Sequence, residues 1–233
     1  MRLHRFYIQE DLEKGKEVRI EDPELLHQWA KVFRLQASDR VIIFNGNGKE
    51  FEGYFKVLAR KEAALLIDKE NIIKNEQKIE LHIFQSIIKK DNFELIVEKC
   101  TEIGVSAFHP IISERSEKKD LNILRLQKIA KEASEQSGKV NLPEISSPEK
   151  LEKAISDFDG ELFVLDFEAE NFSKAYEKFS ATKIGILIGP EGGWTENERD
   201  LFEDKKIQSI SLGSQILRAE TAAIVASALI LLK

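Results

Sequence analysis

The sequence predicts an α/β protein in two parts. A small β-rich unit spans residues 1–72, and a larger unit spans 73–233 on a mostly parallel sheet covered by helices. Three observations carry this. Short apolar runs separated by turn signals fill the first part and leave room for one helix. Strand-like and helix-like segments alternate from residue 79 onward. Two late strand signals break abruptly into glycine loops, Leu187-Ile188-Gly189-Pro190-Glu191-Gly192-Gly193 and Ser211-Leu212-Gly213-Ser214-Gln215.

In chain order, Leu3 to Ile8 alternates as a strand. Asp22 is a helix N-cap with Pro23 at the first helical position, and that helix should run through Phe33. Val41 to Phe44 enters Asn45-Gly46-Asn47-Gly48, a hairpin signal, and Phe51 to Leu58 and Ala63 to Ile67 continue as strands. Several short strands with one helix suggest a small barrel. Asn71 to Gln77 is polar and lacks periodicity, which places the boundary there. Strands are then expected at Ile79 to Gln85, Ala107 to Ile112, Leu162 to Leu165, Lys183 to Ile188 and Ile207 to Leu212. Helices are expected at Asn92 to Ile103 (closed by Gly104), Leu121 to Gln136, Phe172 to Phe179 and from the second glycine loop to the chain end. Thr195 with Glu198 has the spacing of a capping box.

Composition narrows the class. Hydrophobic residues make up 42% and charged residues 33% of 233, ordinary for a globular protein. Cys100 is the lone cysteine, so no intrachain disulfide can form. Acidic residues follow Met1-Arg2-Leu3-His4-Arg5 where a signal peptide would be apolar, and Ala222 to Leu232 is too short to span a bilayer. A soluble cytoplasmic protein with no membrane partner is expected. Residues 1–72 carry 13 Lys and Arg against 13 Asp and Glu, so the net charge of −6 sits entirely on the second part. Any RNA contact must come from local clusters.

Open α/β sheets bind ligands beyond the carboxyl ends of their strands, and glycine lets a ligand approach bare backbone. The two glycine loops are therefore expected to line one small-molecule site. The first is not a P-loop, since no Gly-Lys-Ser/Thr follows, and it is not a dinucleotide fingerprint. Arg218 and Glu220, where the second loop meets its helix, are either an exposed ion pair or charges facing a ligand. The four histidines are scattered, and no metal site is expected. In the first part, Arg2, Arg5, Lys31, Arg34 and Arg40 flank Phe6, Tyr7, Trp29, Phe33 and Phe44. That mixture suits RNA, through phosphate pairing and stacking, and equally suits a β core with solvated charges.

Leu-Ile-Gly-Pro-Glu-Gly-Gly-Trp (187–194) with Leu-Gly-Ser-Gln-Ile-Leu-Arg-Ala-Glu-Thr-Ala (212–222) resembles the RsmE family. These are SPOUT-class methyltransferases acting on N3 of a uridine in small-subunit (16S) ribosomal RNA. His4 to Tyr7, Lys31 to Leu35, Phe44 to Gly48, Glu98 to Gly104, Ser113 to Ser116 and Glu132 to Gly138 match further family blocks in order. The chain departs from the pattern at Ser214-Gln215, where the family has Pro-Arg, at Ala219 for Thr, and at Lys139 for Arg.

The resemblance implies a PUA-like N-terminal barrel for RNA and a C-terminal SPOUT domain whose chain forms a trefoil knot. It also implies S-adenosylmethionine as cofactor and a homodimer through the knotted region, with the alanine face Ala222, Ala223 and Ala226 allowing close packing. The cofactor would meet Leu165, then Leu187, Gly189, Pro190, Glu191, Gly192 and Gly193 of the first loop. From the second it would meet Leu212, Gly213, Ile216, Leu217, Thr221 and Ala222. Arg218 would stabilise the uracil anion, Glu191 or Glu220 would accept its proton, and Arg5, Arg34, Arg115 and Lys139 would contact RNA. Two other functions remain open on these residues: methylation of tRNA or another RNA, and RNA binding in ribosome assembly without catalysis.

Overall fold

The computed structural model describes residues 3–72, 78–116, 120–172 and 181–232. The chain divides into two compact units, Met1–Asn75 with Ser134–Asn141, and Glu76–Ala133 with Leu142–Lys233.

The first unit holds β1 (Arg5–Tyr7), β2 (Glu17–Ile20), β3 (Arg40–Phe44), β4 (Lys49–Leu58) and β5 (Ala63–Ile72) in one sheet of order β1-β3-β4-β5-β2. β1 runs parallel to β3; the other ladders are antiparallel. Gly46 and Gly48 take φ of 86° and 79° in the β3–β4 hairpin, a backbone that side-chain-bearing residues avoid. Asp22 caps α1 (Pro23–His27) by accepting from the Glu24 and Leu25 amides. The chain then widens into a π turn over Gln28–Val32, which shortens the α-helix relative to the sequence expectation. β2 was not foreseen, because Glu17-Val18-Arg19-Ile20 offers only two inward apolar residues.

Phe6, Trp29 and Phe44 are fully buried, and Phe6 and Phe55 pack on the Trp29 ring at 5.7 and 5.0 Å. These aromatics form the core, so Phe6, Trp29 and Phe44 offer no face to a base. Deleting a buried ring of this size typically costs about 3–5 kcal/mol.

In the second unit β6 (Glu80–Ser86), β7 (Ala107–Ile112), β8 (Glu144–Ile145), β10 (Glu161–Asn171), β11 (Lys183–Ile188) and β12 (Gln208–Ser211) run in the order β12-β10-β11-β6-β7-β8. The two residues of β9 (Glu149–Lys150) pair with β7. All these ladders are parallel. Parallel strands are covered on both faces, which explains the nearly unbroken burial of β6 and β11.

On one face Ile83, Ile186 and Ile210 pack with α2 (Lys90–Ile103), α3 (Ile123–Ser137) and α6 (Ala219–Leu231). On the other, Phe84, Val164 and Leu187 pack with α4 (Leu151–Asp157) and α5 (Glu196–Asp204). Gly104, at φ 121°, closes α2 as its sequence position suggested. α4 was not foreseen. The helix expected over Phe172 to Phe179 lies, beyond its first residue, outside the described residues.

α6 is apolar nearly all round. Its Ala222, Ala223 and Ala226, expected at a subunit contact, are buried within the chain's own core. Small side chains there admit the neighbouring helix α2. Cys100 on α2 is fully buried, receives a hydrogen bond from Ser227 Oγ at 3.5 Å, and has its thiol pushed up to about 12 by burial. Among the described residues, no helix is long and apolar enough to cross a membrane.

Candidate active site

The sheet order sets the carboxyl ends of β12, β10 and β11 side by side, and the two glycine loops leave from the outer two of them. Beyond β11, Gly193 N–H donates to Pro190 O at 2.9 Å, closing a tight turn, and Gly193 takes φ 67°. A Cβ on Gly193 would touch nothing within 4 Å, so glycine is needed there for the backbone conformation rather than for space. At Gly189 the reason differs: a Cβ would sit 3.2 Å from the Trp194 ring. Trp194 is buried edge-on against Phe202 and donates from Nε1 to Leu165 O at 3.3 Å, tying this loop to the end of β10. The capping box then starts α5. Thr195 Oγ1 accepts from Glu198 N, and Glu198 Oε2 accepts from Thr195 N at 2.8 Å.

The second loop is held differently. Ser211 Oγ lies 3.2 Å from Phe167 O and 3.1 Å from Gly213 O, while Gly213 takes φ 137°. Ser214, Gln215, Ile216 and Arg218 are exposed, and Arg218 is the N-cap residue of α6, without a side-chain cap bond.

Together the loops enclose a cavity of about 380 Å³. Of the expected residues it gathers Leu165, Gly189, Pro190, Glu191 and Gly193 with Leu212, Ile216, Leu217, Arg218 and Ala222. Four expected cofactor contacts do not line it. Leu187 is fully buried on the opposite sheet face, because side chains alternate along a strand. Gly192 backs onto Arg115, whose Cδ is 3.3 Å from where a Cβ would stand. Gly213 lies beside the cavity wall rather than in it. Thr221 is exposed, and Glu220, an expected base, is buried; neither lines the cavity. Ala219 and Ala222 share the helix face turned to the cavity, so the two residues between them point elsewhere.

The RNA expectations divide as well. Arg5 is largely sequestered: it pairs with Glu50, donates to Gly138 O at 3.1 Å and lies over the Phe44 ring. Its guanidinium holds the first unit together rather than reaching outward. Arg115 is exposed, yet its Nη1 donates to Gly192 O at 2.7 Å and to Trp194 O at 3.3 Å, so the guanidinium is tied to the loop after β11. Arg34 is exposed, with φ 55°. Lys139 is partly buried, which pushes its ammonium down to about 8.

Sequence inspection missed Asp166, Phe167 and Arg199 as cavity residues. The apolar strand signal stops at Leu165, but β10 runs on to Asn171, and its pairing with β12 shifts register between Leu165 and Glu170. The intervening bulge brings Asp166 and Phe167 to the cavity, and Asp166 pairs there with Arg199 of α5. Bulges commonly re-aim side chains beside functional sites. Among the described residues no His, Cys, Asp and Glu group could hold a metal ion.

Known proteins resemble this chain over both units. The model of an RNA methyltransferase domain matches residues 75–231, and that of an RNA methyltransferase PUA domain matches 30–68. A ribosomal RNA small subunit methyltransferase E from Rickettsia conorii is 32% identical over 98% of this chain and 95% of its own. One from Synechocystis sp. is 35% identical over 87% of this chain and 69% of its own. The crystal structure of a ribosomal RNA small subunit methyltransferase E from Neisseria gonorrhoeae, bound to S-adenosyl methionine, superposes with a TM-score of 0.90. It is 29% identical, over 98% of this chain and 96% of that one. On the extent of these matches, and with both domain models falling in the expected order, the chain belongs to the ribosomal RNA small subunit methyltransferase E family.

Proposed function

We propose that the chain methylates N3 of a uridine in small-subunit (16S) ribosomal RNA, with S-adenosylmethionine as methyl donor. The observation that carries this is the cavity walled by the two loops, in a chain of this family. Its volume falls within the about 300–1,000 Å³ of small-molecule sites. Leu165, Ile188, Leu212 and Leu217 give it apolar walls suited to an adenine. The amides of Glu191, Gly192 and Trp194 find no acceptor among the described residues, and so remain available to the polar parts of a cofactor. The residues present therefore fit S-adenosylmethionine, which when bound supplies an electrophilic methyl group on a sulfonium.

The protein's own task is to make N3 of uracil nucleophilic. The Arg218 guanidinium, at the N-terminus of α6, stabilises negative charge building on the uracil oxygens, and the helix end adds a favourable partial charge. Glu191 is the better placed of the two carboxylates to accept the N3 proton, since it lines the cavity and Glu220 does not. Holding the base and the methyl group in line supplies much of the remaining rate. Arg34 and Lys139 are the remaining candidates for RNA contact. A trefoil knot, a homodimer through the C-terminal unit and a cytoplasmic location belong to the same proposal. The insertion of β11 between β6 and β10 supports the knot, and the exposed apolar Phe167 and Ile216 support the subunit contact.

The decisive experiment is mass spectrometry of ribosomal RNA from a deletion strain. The N3-methyl of one small-subunit uridine should vanish and return on complementation. An unchanged modification profile would refute the substrate. Calorimetric titration with S-adenosylmethionine tests the cofactor independently, and light scattering tests the dimer.

A further inference from the structure

The turn after β7, Ser113-Glu114-Arg115-Ser116, makes contacts that neither capping nor RNA binding requires. Ser116 N–H donates to Ser113 O at 3.1 Å and the two hydroxyls are 2.8 Å apart, so the turn is closed on itself. From it Arg115 Nη1 reaches two carbonyls of the loop after β11, Gly192 O and Trp194 O. The Glu114 amide reaches the same region from the other side, donating to Glu198 Oε1 at 2.9 Å. Asn197 Nδ2 donates to Glu114 Oε1 at 3.3 Å.

Glu198 is only 5% exposed, and its two oxygens do different jobs. Oε2 completes the capping box on Thr195 N–H, and Oε1 ties α5 to the turn after β7. A capping box alone accepts Gln as readily as Glu at this position. The double tie does not. Both oxygens face an N–H donor, and Gln offers one oxygen and one NH₂, so one donor would confront another.

The bonds sort the loop's backbone into two sets. Gly192 O, Trp194 O, Gly193 N–H and Thr195 N–H are each bound within the protein. Among the described residues, the Gly189, Glu191, Gly192 and Trp194 amides find no acceptor. Each peptide plane joins one carbonyl to the next residue's amide, so the bonds to Gly192 O and Trp194 O fix the 192–193 and 194–195 planes, which bracket the peptide carrying the Trp194 amide.

We infer that Arg115 and Glu198 are positioning residues for S-adenosylmethionine, holding the Gly189–Trp194 loop in its binding-ready shape, and that Arg115 is not an RNA contact. This rests on the proposed placement of the cofactor in the cavity.

The test measures S-adenosylmethionine affinity by calorimetry, small-subunit rRNA affinity by filter binding, and steady-state kinetics, for the full chain and for Arg115→Ala, Arg115→Lys and Glu198→Gln. Loss of one charge-assisted bond corresponds to about a tenfold weakening. Cofactor affinity should fall by that factor in Arg115→Ala and Glu198→Gln. KM for the cofactor should rise with it, kcat at saturation should hold, and rRNA affinity should stay unchanged. Arg115→Lys, keeping the charge but lacking the fork, should fall between. Glu198→Gln keeps the cap but opposes two donors, so it should melt below wild type. Titrating every variant well below its own melting temperature, where the chain is fully folded, separates positioning from general destabilisation. Unaltered cofactor affinity in both Arg115→Ala and Glu198→Gln overturns the inference, as does a loss confined to rRNA affinity in Arg115→Ala. A wild-type chain that fails to bind the cofactor overturns the functional proposal, and this inference with it.

Discussion

Both cavity loops leave a parallel strand and lead to a helix, yet their hydrogen bonds are distributed very differently. The loop after β11 is tied to β10 through Trp194, to the turn after β7 through Arg115, and to α5 through a capping box. The loop after β12 is anchored at Ser211 and then runs exposed through Ser214, Gln215 and Ile216, the last 82% exposed, until α6 begins. A tied loop presents one geometry at no further ordering cost, which suits a small ligand of fixed shape. A loose loop can adapt to a large substrate, with its ordering cost met on binding. On the proposed function, the first loop supplies a fixed backbone for the cofactor, while the second adds apolar wall residues and an exposed edge that can meet RNA.

The largest expected effect lies at the end of the loose loop. Arg218→Ala should lower kcat by about 10²–10³-fold, the usual loss on removing a charge-stabilising donor. Cofactor affinity should be nearly unchanged, and an equal fall in both would break the division between loops. Next, Glu191→Gln should slow single-turnover methylation by about 10²-fold, at the low end of general-base effects. Glu220→Gln should retain the wild-type rate, and the reverse pattern would move the base to the second loop. Third, Gly193→Ala should destabilise the fold by about 1–2 kcal/mol through its left-handed backbone, read from urea unfolding. Gly213→Ala, in the loop that can relax, should cost less.

A background common to both loops is acid unfolding through His109. Its Nε2 lies 2.9 Å from His82 Nδ1, and burial followed by that neighbour pushes its pKa from 6.5 down to about 4. The fold thus favours the neutral ring. The stability His109 contributes is present above pH 6.5 and is lost as pH falls toward 4. Melting temperatures should decline across that window in parallel for wild type and both glycine variants; a loop variant with a different slope would show that the loops differ in more than local bonding. Smallest of all, amide hydrogen exchange at Gly193 and Thr195, whose N–H groups are bonded, should be slower than at Gln215 and Ile216.

Much of this was legible in the sequence because it rests on short-range chemistry. β7 and β11 start and stop where their apolar runs do, Asp22 and Thr195 cap as their spacing demands, and Gly104 closes α2. What stayed hidden depends on tertiary partners. Nothing in Ser113-Glu114-Arg115-Ser116 announces that Arg115 will meet carbonyls 77 and 79 positions away. The β10 bulge hid Asp166 and Phe167 because a register shift leaves no mark in an apolar pattern. Leu187 and Glu220 were misplaced for the opposite reason. They sit inside matching motifs, but a motif does not say which face of its strand or helix a residue occupies.

The burial of Cys100 has a practical consequence. A thiol shielded from solvent and held protonated does not react with maleimides or methanethiosulfonates. The native chain is therefore silent to thiol labelling without any cysteine being removed. A single cysteine placed at Ser214, exposed and outside the cavity lining, would carry a fluorophore or spin label selectively, letting the arrival of RNA at the loose loop be timed.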